Sequence, residues 1–226
     1  MIDRVLWADQ YLHHRFSDPA LLQRALTHRS AAKDNNERLE FLGDALLNLV
    51  VARRLYALYP DYPEGDLSRA RAALVNKIVL ADIAREIELD TQLILGPGEV
   101  RSGGAQRGSA LGDALEAVVG AILIDAGLPA AERAIEALLA NRLESLPDAG
   151  ALKDSKTRLQ EWLQGLGSEL PRYAVESTHG SDHNQVFTVS CQVAGHGHAL
   201  GSGSSRRGAE QEAAAAMLAK LSRESE

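Results

Sequence analysis

The sequence is short of several features that mark particular classes of protein. It has a single cysteine, Cys191, which excludes an internal disulfide framework and suits a reducing compartment. Aromatic residues make up only 4% of the chain, and alanine and leucine are abundant, a balance that favours helices. No apolar run approaches the roughly 18 residues that a membrane span needs, and the first residues lack the basic segment and apolar core of a signal peptide. We therefore expect a cytoplasmic protein that does not act at a membrane.

Positive charge is also scarce. The chain carries 24 Lys and Arg residues against 31 Asp and Glu residues, a formal net charge of −7. A bulk charge of this sign does not steer a polyanion such as nucleic acid toward the protein. Any site for nucleic acid must therefore be a local cluster of donors and cations.

The periodicity of the sequence changes once along the chain. Up to about residue 145, apolar residues recur at the spacing of bundled helices, in stretches such as "NNERLEFLGDALLNLVVARRLYALY" and "LGDALEAVVGAILIDAG". After the turn-rich segment "LPDAGALKD" come a short helix, alternating strands and a final helix. We therefore predict two domains: an all-α helical domain over residues 1–146, a linker over 147–153, and a small α+β domain (α-β-β-β-α) over 154–226.

The pentapeptide "LGDAL" occurs twice, each time placing an aspartate in a helix that is apolar nearly all round. Acids are rarely buried unless they are paired or bound to a metal, and no Lys or Arg lies within "FLGDALLNLVVA" or "LGDALEAVVGAILIDAG". We therefore expect two acidic helix faces to converge on a hard divalent cation, which prefers oxygen ligands. At about 100° per residue, the acids that share a face are Glu37, Glu40 and Asp44 on the first helix, and Asp113 and Glu116 on the second.

These acids can also be interpreted without a metal ion or a catalytic role. Acids on a helix are often solvated surface charges, or they stabilise the helix N-terminus through its dipole. Glu64, in "YPEGDLS", is the most ambiguous, because a first helical turn attracts Asp and Glu without any catalytic role.

The stretch "NNERLEFLGDALL" resembles the signature of the ribonuclease III family, with Ala45 where the family usually has serine. "LTHRS", "EGDLSRARAALV", "LGPGE" and "LGDALEAVVGA" stand in the family's order, so the likeness covers nearly the whole chain. The resemblance implies an endonuclease that depends on Mg²⁺, with Mn²⁺ as a substitute, and that cuts double-stranded RNA. It implies metal ligands at Glu40, Asp44, Asp113 and Glu116, and catalytic acids at Asp44, Glu116, Glu37 and Glu64.

The C-terminal domain resembles a double-stranded-RNA-binding domain, a module that reads A-form shape rather than sequence. Independently, "GSGSSRRGAEQ" places Arg206 and Arg207 in the first turn of the last helix, where cations oppose the helix dipole. A phosphate held by both arginines would explain that placement, and two solvated arginines are the alternative. Basic residues are common in the module where this chain has Gly208 and Glu210, which predicts weaker phosphate binding. By resemblance, the further RNA contacts are Thr157, Gln160, Glu161, Gly180 and His183.

The acids suit hydrolysis of phosphodiester bonds by metal-activated water. The resemblance implies that the substrate is double-stranded RNA and that staggered cuts leave 5′-phosphate and 3′-hydroxyl ends. By resemblance, the protein is a homodimer that processes ribosomal RNA precursors and other structured transcripts. One alternative is an inactive relative that only binds duplex RNA, which should have lost an acid of the cluster. Another is a di-iron carboxylate protein, but neither acidic helix has the Glu-x-x-His pair that such sites use.

Overall fold

A computed structural model describes residues 4–104, 107–146, 154–181 and 185–224. The chain divides into two compact units, Met1–Pro147 and Asp148–Glu226. The first unit is all-helical and the second combines helices with a sheet, which confirms the predicted fold class. The predicted linker, 147–153, lies outside the described residues and stays a prediction. No helix among the described residues is long and apolar enough to cross a membrane.

The described part of the first unit contains eight α-helices and one short 3-10 helix. In chain order the α-helices are α1 (Arg4–Leu12), α2 (Pro19–Ala25), α3 (Glu37–Leu58), α4 (Glu64–Leu74), α5 (Lys77–Glu86), α6 (Pro97–Arg101), α7 (Gly108–Ala126) and α8 (Leu128–Glu144). The 3-10 helix, Leu89–Thr91, follows α5. Helix α7 lies at the centre and packs against α2, α3, α5 and α8.

The two helices that carry "LGDAL" differ in burial. Helix α7 is buried nearly all round, with Leu111, Leu115 and Ile122 in the core, as its composition predicts. The same expectation is wrong for α3, where Phe41 is 80% exposed and Leu49 and Tyr56 are also exposed. Packing against α7 covers one side of α3 and leaves an apolar side uncovered.

The second unit is a three-stranded antiparallel sheet flanked by two helices. The elements are α9 (Ser155–Gly165), β1 (Arg172–His179), β2 (Val186–Val193), β3 (Gly197–Gly203) and α10 (Arg206–Glu224), and the strand order is β1-β2-β3. Val189, Cys191 and Val193 alternate along β2 and are all buried. Cys191 and Val193 pack with Leu159 and Met217 of the flanking helices.

A single carboxylate at the end of α7 accepts hydrogen bonds from the segment between α1 and α2. Asp125 accepts hydrogen bonds from the Ser17 hydroxyl at 2.7 Å and from the Ser17 and Asp18 backbone N–H groups at 3.0 Å. Its Oδ2 also lies 2.9 Å from His14 Nε2. Although burial raises the pKa of Asp125, these hydrogen bonds outweigh it and lower the pKa to about 2.

Replacing Asp125 with asparagine is expected to destabilise the protein by about 2 kcal/mol at pH 7, because the charged acceptor is lost and an amide faces N–H donors. A depressed folded-state pKa contributes stability above the unfolded value of 3.8 and loses it as the pH falls toward 2. The difference between wild type and Asp125→Asn should therefore shrink by about 1 kcal/mol between pH 7 and pH 3 in urea unfolding. A constant difference, or an equal effect of Asp9→Asn at an exposed acid of α1, would contradict this account.

Candidate functional site

Helices α3 and α7 approach so closely that their backbones touch. A Cβ atom added at Gly43 would overlap the carbonyl group of Glu116, and one added at Gly120 would overlap the carbonyl oxygen of Leu39. Glycine is therefore required at both positions for the helices to meet. This contact brings the acidic faces of the two helices together.

Three carboxylates meet at this contact. One oxygen from each of Glu40, Asp113 and Glu116 lies within 4.8 Å of the other two. The side chain of Glu116 is 3% exposed, and those of Glu40 and Asp113 are 30% exposed. We call this set the acidic cluster. It is the one group of metal-ligand type found among the described residues, and it could hold a metal ion.

The pKa values of two carboxyls in the acidic cluster are raised above their ordinary values. Burial raises the pKa of the Glu116 carboxyl, and the negative charges of Asp44 and Asp113 raise it further, against the lowering effect of Lys77. Burial and the charge of Asp113 likewise raise the pKa of Glu40. Clustered carboxylates that resist ionisation gain most from a nearby cation. The all-oxygen donor set suits a hard divalent ion.

A lysine from a third helix contacts the acidic cluster. The Lys77 ammonium, at the start of α5, donates to Asp113 and to Glu116 Oε2 (2.8 Å), and lies 3.8 Å from Glu40 Oε1. Lys77 was not among the predicted site residues, because it lies on a separate helix outside the apolar stretches that carry the acids. Its one local signal was a basic residue at the start of an amphipathic helix, in "VNKIVLADI".

Of the remaining predicted acids, Asp44 and Glu37 line a pocket beside the acidic cluster and Glu64 does not. Asp44 lines an open pocket with Glu40, Lys77 and Glu116, and its Oδ1 accepts a hydrogen bond from Asn48 Nδ2 at 3.1 Å. Glu37 lines the same pocket and lies 3.8 Å from Arg29. Glu64 is the exposed first residue of α4, accepts a 2.7 Å hydrogen bond from the Ser68 hydroxyl, and does not line that pocket.

In the second unit, four of the predicted RNA contacts line one open pocket between α9 and α10. Thr157 and Gln160 come from α9, and Arg206 and Arg207 come from the first turn of α10. The Ser205 hydroxyl caps this helix by accepting a hydrogen bond from the Gly208 N–H at 3.1 Å.

One acid of this pocket, Glu210, already pairs with two of its cations. Glu210 accepts hydrogen bonds from Lys156 Nζ at 2.6 Å and from Arg206 Nε at 3.0 Å. These two cations lower the pKa of Glu210, so it is negatively charged at neutral pH. Glu210 therefore neutralises part of the pocket's positive charge, and weaker phosphate binding stays a prediction.

Two other predicted RNA contacts, Glu161 and Gly180, do not line this pocket. Glu161 is exposed on α9. Gly180 is exposed after β1, and its φ of +105° is a conformation that glycine adopts readily. His183 lies outside the described residues.

Comparisons with known proteins match each unit separately. A family described as Ribonuclease-III-like matches residues 18–143, and the Double-stranded RNA binding motif matches residues 155–221. In sequence order, a nuclease-type helical unit is thus followed by a binding motif for double-stranded RNA. Together they define a nuclease that acts on double-stranded RNA.

Relatives match nearly the full length of the chain. Ribonuclease 3 of Nitrosococcus oceani is 50% identical over 95% of this chain and 94% of its own length. Ribonuclease 3 of Dechloromonas aromatica is 52% identical over 93% and 95%. The ribonuclease III nuclease domain of Campylobacter jejuni is 44% identical with a TM-score of 0.58, over 61% of this chain and 97% of that domain. The chain belongs to the ribonuclease III family, and it is an endoribonuclease for double-stranded RNA.

Proposed function

We propose that the acidic cluster binds Mg²⁺, or Mn²⁺ in its place, and is the site of phosphodiester hydrolysis. The observation that carries the proposal is the meeting of Glu40, Asp113 and Glu116 at the glycine-mediated contact of α3 and α7. When bound, the ion would lower the pKa of a water molecule and neutralise charge on the phosphate. We expect this water to attack the phosphorus and break its bond to O3′, with the 3′-oxygen leaving as a hydroxyl, which gives 5′-phosphate and 3′-hydroxyl ends.

The acids of this unit would divide the work. Glu116 is buried and would be the most rigid ligand, with Asp113 and Glu40 completing the set at the solvent side. Asn48 orients Asp44, which leaves the second carboxylate oxygen to act as a ligand or to orient the attacking water. Glu37, at the pocket rim, and Glu64, on α4, would act on the RNA or on water further from the acidic cluster.

The second unit would hold the duplex. Arg206 and Arg207 are exposed at the start of a 19-residue helix, where backbone amides and guanidinium groups can bind a phosphate together. Thr157 and Gln160, in the same pocket, would contact the sugar edge of the minor groove, with Glu161 next to them on α9. Gly180 and His183 would contact a neighbouring groove through the loop between β1 and β2.

Replacing Glu210 with glutamine is expected to tighten binding to duplex RNA by about threefold to tenfold, because Lys156 and Arg206 lose their internal counter-charge. Filter binding at several salt concentrations would measure both the affinity and its salt dependence, which should steepen. Glu212→Gln, on the same helix, makes the same change in net charge outside the pocket. Unchanged or weaker binding by Glu210→Gln would contradict the proposed phosphate site.

A homodimer is proposed from the uncovered side of α3. Phe41 protrudes at the edge of a pocket of about 770 Å³ that Leu42, Ile124 and Arg38 also line. Much of the pocket lining is charged, but Leu42 and Ile124 give it an apolar part. Under twofold symmetry, the Phe41 ring of each copy could enter the corresponding pocket of the other. In the Campylobacter jejuni nuclease domain, a region is involved in dimer formation. Two acidic clusters facing one duplex would cut both strands at staggered positions.

The test is cleavage of one labelled RNA, offered as a duplex and as a single strand, with Mg²⁺, with Mn²⁺ and with EDTA. We expect short products only when the RNA is a duplex and a divalent ion is present. An inactive protein would instead shift the intact duplex on a native gel, but this account is not favoured because every acid of the acidic cluster is present.

Processing of ribosomal RNA precursors in the cytoplasm is the biological role we propose, and it can be tested by mapping precursor ends after depletion of the protein.

A further inference from the structure

Lys77 uses the same oxygen atoms that a metal ion would need. Its ammonium donates to Asp113 and to Glu116, and its closest approach to Glu40 is 3.8 Å. These are the three residues of the acidic cluster. A divalent ion and an ammonium cannot both occupy the centre of three carboxylates, because they repel each other and each requires the same lone pairs.

The fold places Lys77 against α7 through the glycine of the second "LGDAL". A Cβ atom added at Gly112 would lie 3.2 Å from Lys77 Cδ and 3.4 Å from the Lys77 carbonyl oxygen, so the lysine stem passes directly over that glycine. The Lys77 side chain is 49% exposed, whereas Glu116 is 3% exposed. The ammonium therefore reaches a buried carboxylate from an open side, and its flexible four-carbon stem can withdraw toward solvent.

We propose that Lys77 is the internal counter-ion of the acidic cluster and competes with the catalytic metal ion for its carboxylates. Metal binding displaces the ammonium, so each loading event breaks the hydrogen bonds to Asp113 and Glu116. The competition weakens metal affinity and keeps the carboxylates neutralised when no divalent ion is bound. This inference rests on the proposed metal site, and it assigns Lys77 a role in metal loading rather than in the chemical step.

Metal affinity is the direct readout. Calorimetric titration of Mn²⁺ into the full-length protein, stripped with EDTA and free of RNA, should show about tenfold tighter binding for Lys77→Met than for wild type, a difference of about 1.4 kcal/mol. Lys77→Arg retains the charge and should stay near the wild-type affinity or below it. Lys33→Met removes an equal charge from an exposed lysine outside the acidic cluster and should change the affinity less than twofold.

A second measurement uses the wild-type chain and does not depend on any substitution being tolerated. The sequence has only five lysines, so the ε-methylene signals of lysine labelled with ¹³C can be resolved and assigned. Saturating Mg²⁺ should shift the Lys77 signal to the position of a solvated lysine and leave the signals of Lys33 and Lys220 in place.

The outcomes separate this inference from the proposed function. Tighter binding by Lys77→Met together with a shifted Lys77 signal would support the competition. Equal or weaker binding by Lys77→Met, or a Lys77 signal unmoved at saturation, would overturn it and leave the metal site standing. If neither wild type nor variant binds Mn²⁺, the proposed metal site and the competition both fail.

Discussion

Glu116→Gln is expected to reduce cleavage of duplex RNA by about a thousandfold or more, while duplex binding and unfolding free energy stay close to wild type. The substitution keeps the size of the side chain and removes the one cluster charge that is almost fully buried. A neutral amide cannot replace a carboxylate ligand in aligning a hard cation, and losing a preorganised electrostatic contact at the reacting centre has effects of this order.

Single-turnover cleavage of a labelled duplex measures the chemical step, and a native gel with the same RNA measures binding. Glu136→Gln, at an exposed acid of α8 outside the acidic cluster, is the matched control and should cleave normally. Retained cleavage by Glu116→Gln would show that hydrolysis occurs elsewhere. Loss of binding together with cleavage would indicate a damaged fold rather than a missing ligand.

Gly43→Ala is expected to lower the free energy of unfolding by about 3 kcal/mol or more and to abolish cleavage. The new methyl group would overlap the Glu116 carbonyl, so α3 and α7 must separate, and overpacking against rigid backbone is among the costliest core changes. Separation would also pull Glu40 away from Asp113 and Glu116. Urea unfolding and duplex cleavage measure the two effects.

The second copy of the pentapeptide supplies the matched control. At Gly112 the new methyl group would meet the side chain of Lys77 at 3.2 Å, and a flexible stem can move aside. Alanine is also favoured over glycine within a helix by about 1 kcal/mol. Gly112→Ala should therefore be close to neutral or slightly stabilising. If the two substitutions cost the same, the close approach of α3 and α7 is not what requires Gly43.

Much of the fold could be predicted from local sequence. Helical and strand periods are local properties, so the all-helical first unit and the strands and final helix of the second unit could each be predicted from a few neighbouring residues. The two acidic faces could be predicted for the same reason, because residues three and four apart lie on one side of a helix.

Burial was harder to predict than secondary structure, because it depends on which other helices pack against each helix. Helices α3 and α7 both carry "LGDAL" among apolar residues, yet only α7 is enclosed by other helices. The exposed position of Phe41 follows from the absence, among the described elements, of a helix packed over that side of α3. Amphipathic pattern alone does not distinguish a core face from a face left for a partner.

By itself, the sequence determined the order of helices and strands, the residues that share each helix face, and the motifs that mark the family. Only the tertiary structure decided that Glu40 meets Asp113 and Glu116, that Lys77 joins them, and that Glu210 counters the cations of the second unit. The physical reason is separation along the chain. Lys77 and Glu116 are 39 positions apart, and Lys156 and Glu210 are 54 apart, so their contacts depend on how whole helices pack rather than on any local period.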